Sequence, residues 1–295
     1  MSFVDARRTT LIVDGPNLVM RGVHAAERSH MHHEGEQTGA LLLAINMITR
    51  VVRDARPARM VVCFDGGRSK FRTEISAAYK ADRSDRPLDE KGPFSQFKTF
   101  LTLSGIHHAS ITGWEADDLI AAYASAEPLG TPIKIFSGDK DMLQLLGDNV
   151  TQTRPTGVGD DEWTAMRVIA DYGIPARRFN EYLALVGDKT DGVSGVRGYG
   201  PKKTVALMKE HQTWDAVVES LKPEQRATAE QCFALVDLKG VPRRLRGQGI
   251  YLTRAPHFNP AQESTKTALV AFLSSYGMNS VIEKVMADAL WENAR

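Results

Sequence analysis

The sequence predicts an α/β fold in which helices cover both faces of a mostly parallel sheet. Three short apolar runs end in an aspartate and turn residues, at residues 9–14, 60–65 and 133–139. Residues 39–53 carry apolar side chains at helical spacing, and residues 115–126 begin with acids and continue with apolar residues. Strands that alternate with helices are typical of a parallel sheet with a helix layer on each side. The aspartates that end the three runs are therefore expected at the carboxyl edge of the sheet, where such folds bind ligands.

The composition is that of a globular protein with one large or two modest domains. Of the 295 residues, 42% are hydrophobic and 25% are charged, which excludes a disordered or collagen-like chain. The two cysteines, Cys63 and Cys232, do not make a disulfide framework, and the sequence shows neither a secretory signal nor a membrane-spanning apolar run. We therefore expect a cytoplasmic protein without a membrane segment. Taken alone, the balance of 37 basic and 36 acidic residues argues against a nucleic-acid partner.

Two regions depart from the alternating pattern. Residues 66–93 are polar, rich in Arg and Lys and interrupted by prolines, and a connection of that length is usually functional. After about residue 155 the sequence becomes helical without strong strand runs. This change predicts a first domain over residues 1–155 and a helical lobe over residues 156–295. Within that lobe, the basic, glycine-containing residues 239–254 leave a strand and a loop as open alternatives.

Nine carboxylates stand at the ends of predicted strands or in tight groups. A single group has an ordinary explanation, because aspartate begins turns and acids in a first helical turn favour the helix dipole. Nine carboxylates at one sheet edge, however, would repel each other strongly without cations. Oxygen ligands without nearby Cys or His suit Mg²⁺ or Mn²⁺, and their number indicates two ions in one site. The nine are Asp14, Asp65, Glu115, Asp117, Asp118, Asp139, Asp141, Asp188 and Asp191.

The same residues belong to a series of motifs that extends over residues 9–210. In chain order these are Val13-Asp14-Gly-Pro-Asn17-Leu-Val-Met-Arg21, Phe64-Asp65-Gly, Phe71-Arg72, Tyr79-Lys80-Ala-Asp-Arg83, Glu115-Ala-Asp117-Asp118, Ser137-Gly-Asp139-Lys-Asp141, Gly187-Asp188-Lys-Thr-Asp191-Gly192 and Gly195-Val-Arg-Gly198-Tyr-Gly200-Pro-Lys202-Lys203-Thr204. Their order and rough spacing resemble those of the 5′-nuclease (flap endonuclease) family. That family includes the 5′-nuclease domain of bacterial polymerase I and the standalone phage and bacterial 5′→3′ exonucleases. Residues 211–295 carry no motif that supports the resemblance.

The resemblance implies a PIN-like nuclease domain with a helical arch at about residues 66–93. It also implies a helix–three-turn–helix element at about residues 183–210 that binds duplex DNA. The strand-end and helix-start carboxylates match those around the family's first metal, namely Asp14, Asp65, Glu115, Asp117 and Asp118. The carboxylates associated with the second metal are matched by Asp139, Asp141, Asp188 and Asp191.

The resemblance further implies catalytic roles for side chains near the arch and the first strand. Lys80 and Arg83 match a basic pair at the base of the arch that would contact the scissile phosphate, and Arg21 matches an arginine after the first strand. The alternative for Lys80 and Arg83 is a solvated arch surface. Tyr79 would stack on a base, or alternatively pack against other side chains of the arch.

Glycines in the hairpin would allow two helices to approach closely and helix-start N–H groups to face a phosphate. In the family this hairpin also holds K⁺ through main-chain carbonyls, whereas this chain has Tyr199 at a position that is usually small and aliphatic. The alternative is a glycine-rich turn without a ligand. The residues expected to contact DNA are Arg72, Gly195, Gly198, Gly200, Lys202, Lys203 and Thr204.

The resulting hypothesis is a structure-specific 5′-nuclease, both 5′→3′ exonuclease and flap endonuclease, that acts in replication or repair. Its expected partners are DNA with 5′ flaps, nicks or 5′ ends and a DNA polymerase on a separate chain, and the protein is expected to be a monomer. Two alternatives are a structure-specific DNA-binding protein with weak or no nuclease activity and a PIN-type ribonuclease. With the nine carboxylates set aside, 37 basic residues face 27 acidic ones, so the balanced total conceals a basic surface beside an acidic site.

Overall fold

The computed structural model describes residues 9–27, 32–33, 36–81, 92–156, 159–259 and 263–287. The strands are β1 Thr10–Asp14, β2 His32–His33, β3 Glu36–Gln37, β4 Arg59–Cys63, β5 His108–Ala109, β6 Ile133–Phe136, β7 Val150–Pro155 and β8 Asp160–Trp163. The main sheet has the order β5-β4-β1-β6-β7-β8, whereas β2 and β3 pair with each other. Neighbouring strands of the main sheet are parallel except β7 and β8. The predicted mostly parallel sheet is confirmed.

Helices surround this sheet and form a second group beyond it. None of the described helices combines the length and apolar character needed to cross a membrane. Short 3-10 helices occupy Lys140–Leu145 and Ala176–Arg178. The α-helices are α1 Gly15–Ala26, α2 Gly39–Ala55, α3 Lys70–Ile75, α4 Pro93–Leu103, α5 Ala116–Ala126, α6 Ala165–Tyr172, α7 Phe179–Val186, α8 Pro201–Glu210, α9 Trp214–Ser220, α10 Pro223–Val236, α11 Val241–Gly247, α12 Glu263–Ser274 and α13 Asn279–Met286.

Alternate residues of β1 pack on opposite faces of the sheet. Leu11 and Val13 are fully buried in the core that contains α1, α2 and α4, whereas Ile12 is fully buried on the other face against α5. This period of two is expected for a strand that is covered on both sides. Full burial of one such side chain contributes about 1.5–3 kcal/mol to stability.

The parallel alignment brings the ends of the three predicted strands to one edge. Asp14 lies opposite Cys63 across the β1–β4 pair, and Val13 lies opposite Phe136 across the β1–β6 pair. Asp65 is the second residue after β4 and Asp139 the third after β6, and both lie close enough to Asp14 for their charges to raise its pKa.

The predicted division of the chain at residue 155 is wrong in two respects. Strand β8 pairs with β7, so the sheet continues past that residue. Helices α12 and α13 also return to the first core, where Leu269, Leu273 and Val281 pack with residues of the sheet. The intervening helices α6 to α10 enclose a core of their own, as the helical character of that region predicts. Residues 239–254 contain the helix α11, which was neither of the two alternatives for that stretch.

The region predicted as an arch begins with more regular structure than its polar composition indicates. Helix α3 is followed by a turn over residues 77–81, and α4 begins at Pro93. Residues 82–91, which include Arg83, lie outside the described residues. The arch therefore stays a prediction for that stretch.

Candidate metal centre and nucleic-acid interface

Asp14 both ends β1 and begins α1. Its Oδ1 accepts a hydrogen bond of 2.9 Å from the N–H of Asn17, which satisfies one of the free donors at the start of a helix. Its Oδ2 accepts a hydrogen bond of 2.6 Å from the hydroxyl of Ser137, directly after β6. One buried carboxylate thus joins the ends of two neighbouring strands.

The loop that carries Asp139 is held by side chains that were not among the predicted site residues. Asn17 accepts a hydrogen bond of 3.0 Å from the N–H of Gly138. Gln152 on β7 donates from Nε2 to the carbonyls of Ser137 at 2.8 Å and Asp139 at 2.6 Å. A glutamine in a buried strand is a sequence signal for such a role, because buried polar groups are kept where they form hydrogen bonds.

The start of α5 forms a second group of carboxylates. Glu115 is the N-cap residue of α5, and its N–H donates to Oδ2 of Asp118 at 3.0 Å. The N–H of Ala116 donates to Oδ1 of Asp65 at 2.8 Å, so the residue that follows β4 also binds the helix start. Acids are favoured here because the unpaired N–H groups of a first turn carry partial positive charge.

Arg72 is buried among these acids. Its side chain is 2% exposed and donates to the two oxygens of Asp118 at 2.7 and 2.9 Å and to Glu115 at 3.0 Å. The prediction that Arg72 contacts DNA is therefore wrong for this placement. Both oxygens of Asp118 accept from Arg72 and its side chain is fully buried, so Asp118 holds Arg72 and the first turn of α5 together. Its role as a metal ligand stays a prediction.

Tyr79 is also buried. It is 5% exposed, packs in the core of the helical lobe, and donates from its hydroxyl to Oε2 of Glu115 at 2.9 Å. Its ring therefore packs, but against the helical lobe rather than against the arch's own side chains, and in this placement it is not exposed to stack on a base.

Two lysines lie between the carboxylates. Nζ of Lys80 is 3.1 Å from Oε1 of Glu115 and 3.6 Å from Oδ2 of Asp191. Nζ of Lys140, which the sequence analysis did not select although it stands between two aspartates, is 2.7 Å from Oδ2 of Asp188. Burial favours a raised pKa of Glu115, but the charges of Lys80 and Arg72 outweigh burial and lower it. Within the described ranges no three Asp, Glu, His or Cys side chains are arranged to hold a metal ion. The ammonium groups of Lys80 and Lys140 instead neutralise part of the negative charge of the carboxylates.

In three other carboxyl groups the surroundings disfavour the ionised form and so raise the pKa. Burial and the charge of Asp139 raise the pKa of Asp14 to about 6 and that of Asp117 well above its usual value. Burial and the charges of Asp139 and Asp191 raise the pKa of Asp141 to about 8. Oδ1 of Asp141 is buried and has no hydrogen-bond partner in the described part of the protein. Because all these donors are carboxylate oxygens, the set fits a hard divalent cation, which would remove their mutual repulsion.

A glycine-rich hairpin over residues 187–200 joins α7 to α8. Gly195 has a φ of 67°, and a Cβ atom there would lie 2.6 Å from the carbonyl of Val186, so the hairpin packs on α7 only with glycine at this position. Gly198 and Gly200 are exposed and have open space around them. Gly195 therefore serves helix packing, whereas the other two glycines lie at the surface.

The remaining DNA-binding candidates lie in the first turn of α8 and differ in their exposure to solvent. Lys202 and Lys203 are exposed, and the ammonium group of Lys203 lies 4.1 Å from the ring centroid of Tyr199. Thr204 is fully buried, and its hydroxyl donates to the carbonyl of Tyr199 at 3.4 Å, so its predicted contact with DNA is corrected to a packing role.

Arg21 lies half-buried in the second turn of α1 and forms no ion pair with an acid of the described residues.

The fold and the motifs have counterparts in known proteins. Residues 9–173 match the family described as 5′-3′ exonuclease, N-terminal resolvase-like domain. The chain belongs to the 5′-3′ exonuclease family. The 5′-3′ exonuclease of Aquifex aeolicus is 34% identical to it over 220 residues, which cover 74% of this chain and 75% of that protein. DNA polymerase I of Rhizobium leguminosarum is 31% identical over 248 residues, which cover 79% of this chain and 24% of the polymerase.

A solved structure shows the same fold of this family. The flap endonuclease of bacteriophage T5, in a pseudo-enzyme-product complex with DNA and metal ions, superposes with a TM-score of 0.62 at 20% identity over 97% of this chain and 99% of that one. The predicted α/β fold is confirmed, and so is the function as a nuclease of the 5′-3′ exonuclease family.

Proposed function

We propose that this 5′-3′ exonuclease hydrolyses DNA phosphodiesters near 5′ ends, nicks and 5′ flaps in replication or repair, with two Mg²⁺ ions that Mn²⁺ can replace. The carboxylates at the ends of three neighbouring strands carry this proposal. Burial and mutual repulsion raise the pKa values of Asp14, Asp117 and Asp141, so the group favours a state in which protons or divalent cations neutralise it.

The carboxylates divide into the two sets that the family resemblance implies. Bound there, the ions supply a nucleophile at neutral pH and neutralise charge on the phosphate. Ser137, Asn17 and Gln152 keep the loops of both sets in place through the hydrogen bonds described above. The first ion is assigned to Asp14, Asp65, Glu115 and Asp117, and the second to Asp139, Asp141, Asp188 and Asp191.

Lys80 is the residue that we assign to the scissile phosphate. Its ammonium group already lies among Glu115 and Asp191, so it is available to a phosphate oxygen when cations neutralise those acids. A lysine acts there as a compact point charge. Arg83, by its place in the motif, and Arg21, which has no acidic partner among the described residues, are assigned to the neighbouring phosphates.

The hairpin over residues 187–200 is the proposed contact with duplex DNA. Lys202 and Lys203 are exposed beside Gly198 and Gly200, where backbone N–H groups and ammonium groups bind phosphates without reading bases. We also assign a K⁺ ion to the main-chain carbonyls of this hairpin. We also propose that the protein acts as a monomer, and the match to about a quarter of the length of a DNA polymerase I supports cooperation with a DNA polymerase.

The test is incubation of the protein with 5′-labelled flap, nicked and single-stranded DNA in Mg²⁺ or in EDTA. We expect cleavage in Mg²⁺ and none in EDTA. The double variant Asp139→Asn/Asp188→Asn is expected to bind flap DNA and to lose hydrolysis. Asp54→Asn/Asp171→Asn removes the same two charges at the surface and should cleave normally. Binding without Mg²⁺-dependent cleavage of any substrate would establish the DNA-binding alternative instead.

A further inference from the structure

Two segments meet beside Lys80. The arch-base turn comprises residues 76–81 and follows α3, and the metal loop comprises residues 187–193 and follows α7. We propose that Gly192 is a positioning residue for Lys80, because it lets the metal loop hold the arch-base turn with the lysine ammonium among the carboxylates. This inference rests on the role proposed above for Lys80.

Lys80 is held at both ends by one residue of the metal loop. Its backbone N–H donates to the carbonyl of Asp191 at 3.0 Å, and its Nζ lies 3.6 Å from the carboxylate of the same residue. A shift of the metal loop therefore moves the backbone and the side chain of Lys80 together.

The backbone of Lys80 has a conformation that its surroundings must impose. Its φ is 49°, in the left-handed region that residues other than glycine adopt rarely and at a cost. Two contacts hold the chain just before Lys80. The buried Tyr79 donates from its hydroxyl to Glu115, and the carbonyl of Ile75 accepts from Gln231 of α10 at 2.9 Å. The arch-base turn is thus held against the helical lobe.

Gly192 leaves no room for a side chain between the two segments. A Cβ atom at this position would lie 2.3 Å from the carbonyl oxygen of Ala78, a separation that forces the backbone to move. The metal loop has little freedom to yield, because Asp188 and Val193 exchange two backbone hydrogen bonds of 2.9 and 2.8 Å across it. The arch-base turn would then move, and it carries Lys80.

The first experiment compares Gly192→Ala with Gly130→Ala on a 5′-flap substrate. Gly130 also has a positive φ, of 80°, but has nothing within 4 Å of a Cβ atom, so its variant reports backbone strain alone. Since a misplacement of about 1 Å can cost about 100-fold in rate, we expect Gly192→Ala to lower kcat about 10- to 100-fold. KM and the Kd for DNA should stay within about twofold, and Gly130→Ala should leave kcat unchanged. A fall in DNA affinity that accounts for the whole loss of activity would overturn the inference.

The second experiment asks whether Gly192 acts through Lys80. In a Lys80→Ala background, Gly192→Ala should have almost no further effect on kcat, whereas independent sites would give additive losses. Additive losses would overturn this inference alone. Full turnover by Lys80→Ala would overturn both the inference and the role proposed for Lys80.

A third variant keeps the test open if Gly192→Ala does not fold. Ala78→Gly adds no atom and gives the same turn more backbone freedom, which changes the equilibrium constant between its native and other conformations about two- to fivefold. We expect a fall in kcat of that size in the wild-type background and none in the Lys80→Ala background. An unchanged kcat for Ala78→Gly in wild type would overturn the inference.

Discussion

Nζ of Lys140 lies 2.7 Å from a carboxylate oxygen of Asp188, an acid assigned above to the second metal ion. Burial favours a raised pKa of Asp188, but hydrogen bonding to Lys140 and the charge of this lysine lower it. With Asp188 as a ligand of the second ion, as proposed above, this lysine and the ion would compete for the same carboxylate.

Replacing this lysine should make metal binding easier. For Lys140→Met we expect the Mg²⁺ concentration at half-maximal cleavage to fall about two- to fivefold, the range of a partly exposed ion pair worth at most about 1 kcal/mol. A Mg²⁺ titration of initial cleavage rates measures it. Lys134→Met, which removes a lysine that pairs with Glu162 instead, is the matched control. An increased Mg²⁺ requirement in Lys140→Met would show that the lysine assists metal binding.

Arg72 is expected to be essential for stability. In Arg72→Met the buried carboxylate of Asp118 loses its cation and Glu115 keeps only Lys80, and removal of one partner of a buried pair typically costs about 3–5 kcal/mol. Urea denaturation in EDTA measures this free energy of unfolding. Arg53→Met removes an arginine from an exposed pair with Asp54 and should cost less than about 1 kcal/mol. Equal losses in the two variants would contradict the buried network.

The stability of the metal-free protein should fall as the pH rises. The native pKa of Asp14 is about 6 and that of Asp141 about 8, against 3.8 for an ordinary aspartate. The native state therefore binds these protons more tightly than the unfolded state, and the contribution is complete below about pH 3.8 and lost as the pH rises through about 6 and about 8.

Urea denaturation between about pH 5 and about pH 8 measures this effect. We expect the free energy of unfolding to decrease over that range in EDTA, less steeply in Asp14→Asn, and to be restored by Mg²⁺, whose binding releases the protons. The same slope in wild type and Asp14→Asn would exclude this carboxyl as its origin.

Helices α12 and α13 should unfold together with the sheet. Leu273 is fully buried in the core shared with β1, so Leu273→Ala should lower the free energy of unfolding by about 2–5 kcal/mol. Met286 is 60% exposed, and Met286→Ala should cost less than about 0.5 kcal/mol. Circular dichroism and tryptophan fluorescence should report one transition for Leu273→Ala. A separate early transition would indicate that these helices form an independent unit.

The strands and the acidic edge could be predicted because their signals are local. Five consecutive buried residues form β1, and an aspartate followed by glycine ends it. Which acids face a metal and which face a guanidinium could not be predicted. Arg72 and its partner Asp118 are 46 residues apart, and a motif shows that charged groups are near each other but not how they pair. The burial of Tyr79 likewise depends on the core of the helical lobe, formed by residues far along the chain.

The core that unites Leu11 with Val285 has a consequence for synthesis of the protein. A ribosome makes β1 first, yet one face of the sheet acquires its complete apolar cover only after α12 and α13 have been translated. Until then the apolar surface that Leu269, Leu273 and Val281 will cover stays exposed on the nascent sheet, where chaperones can bind it. The core on this face of the sheet is therefore complete only after α12 and α13 have been made.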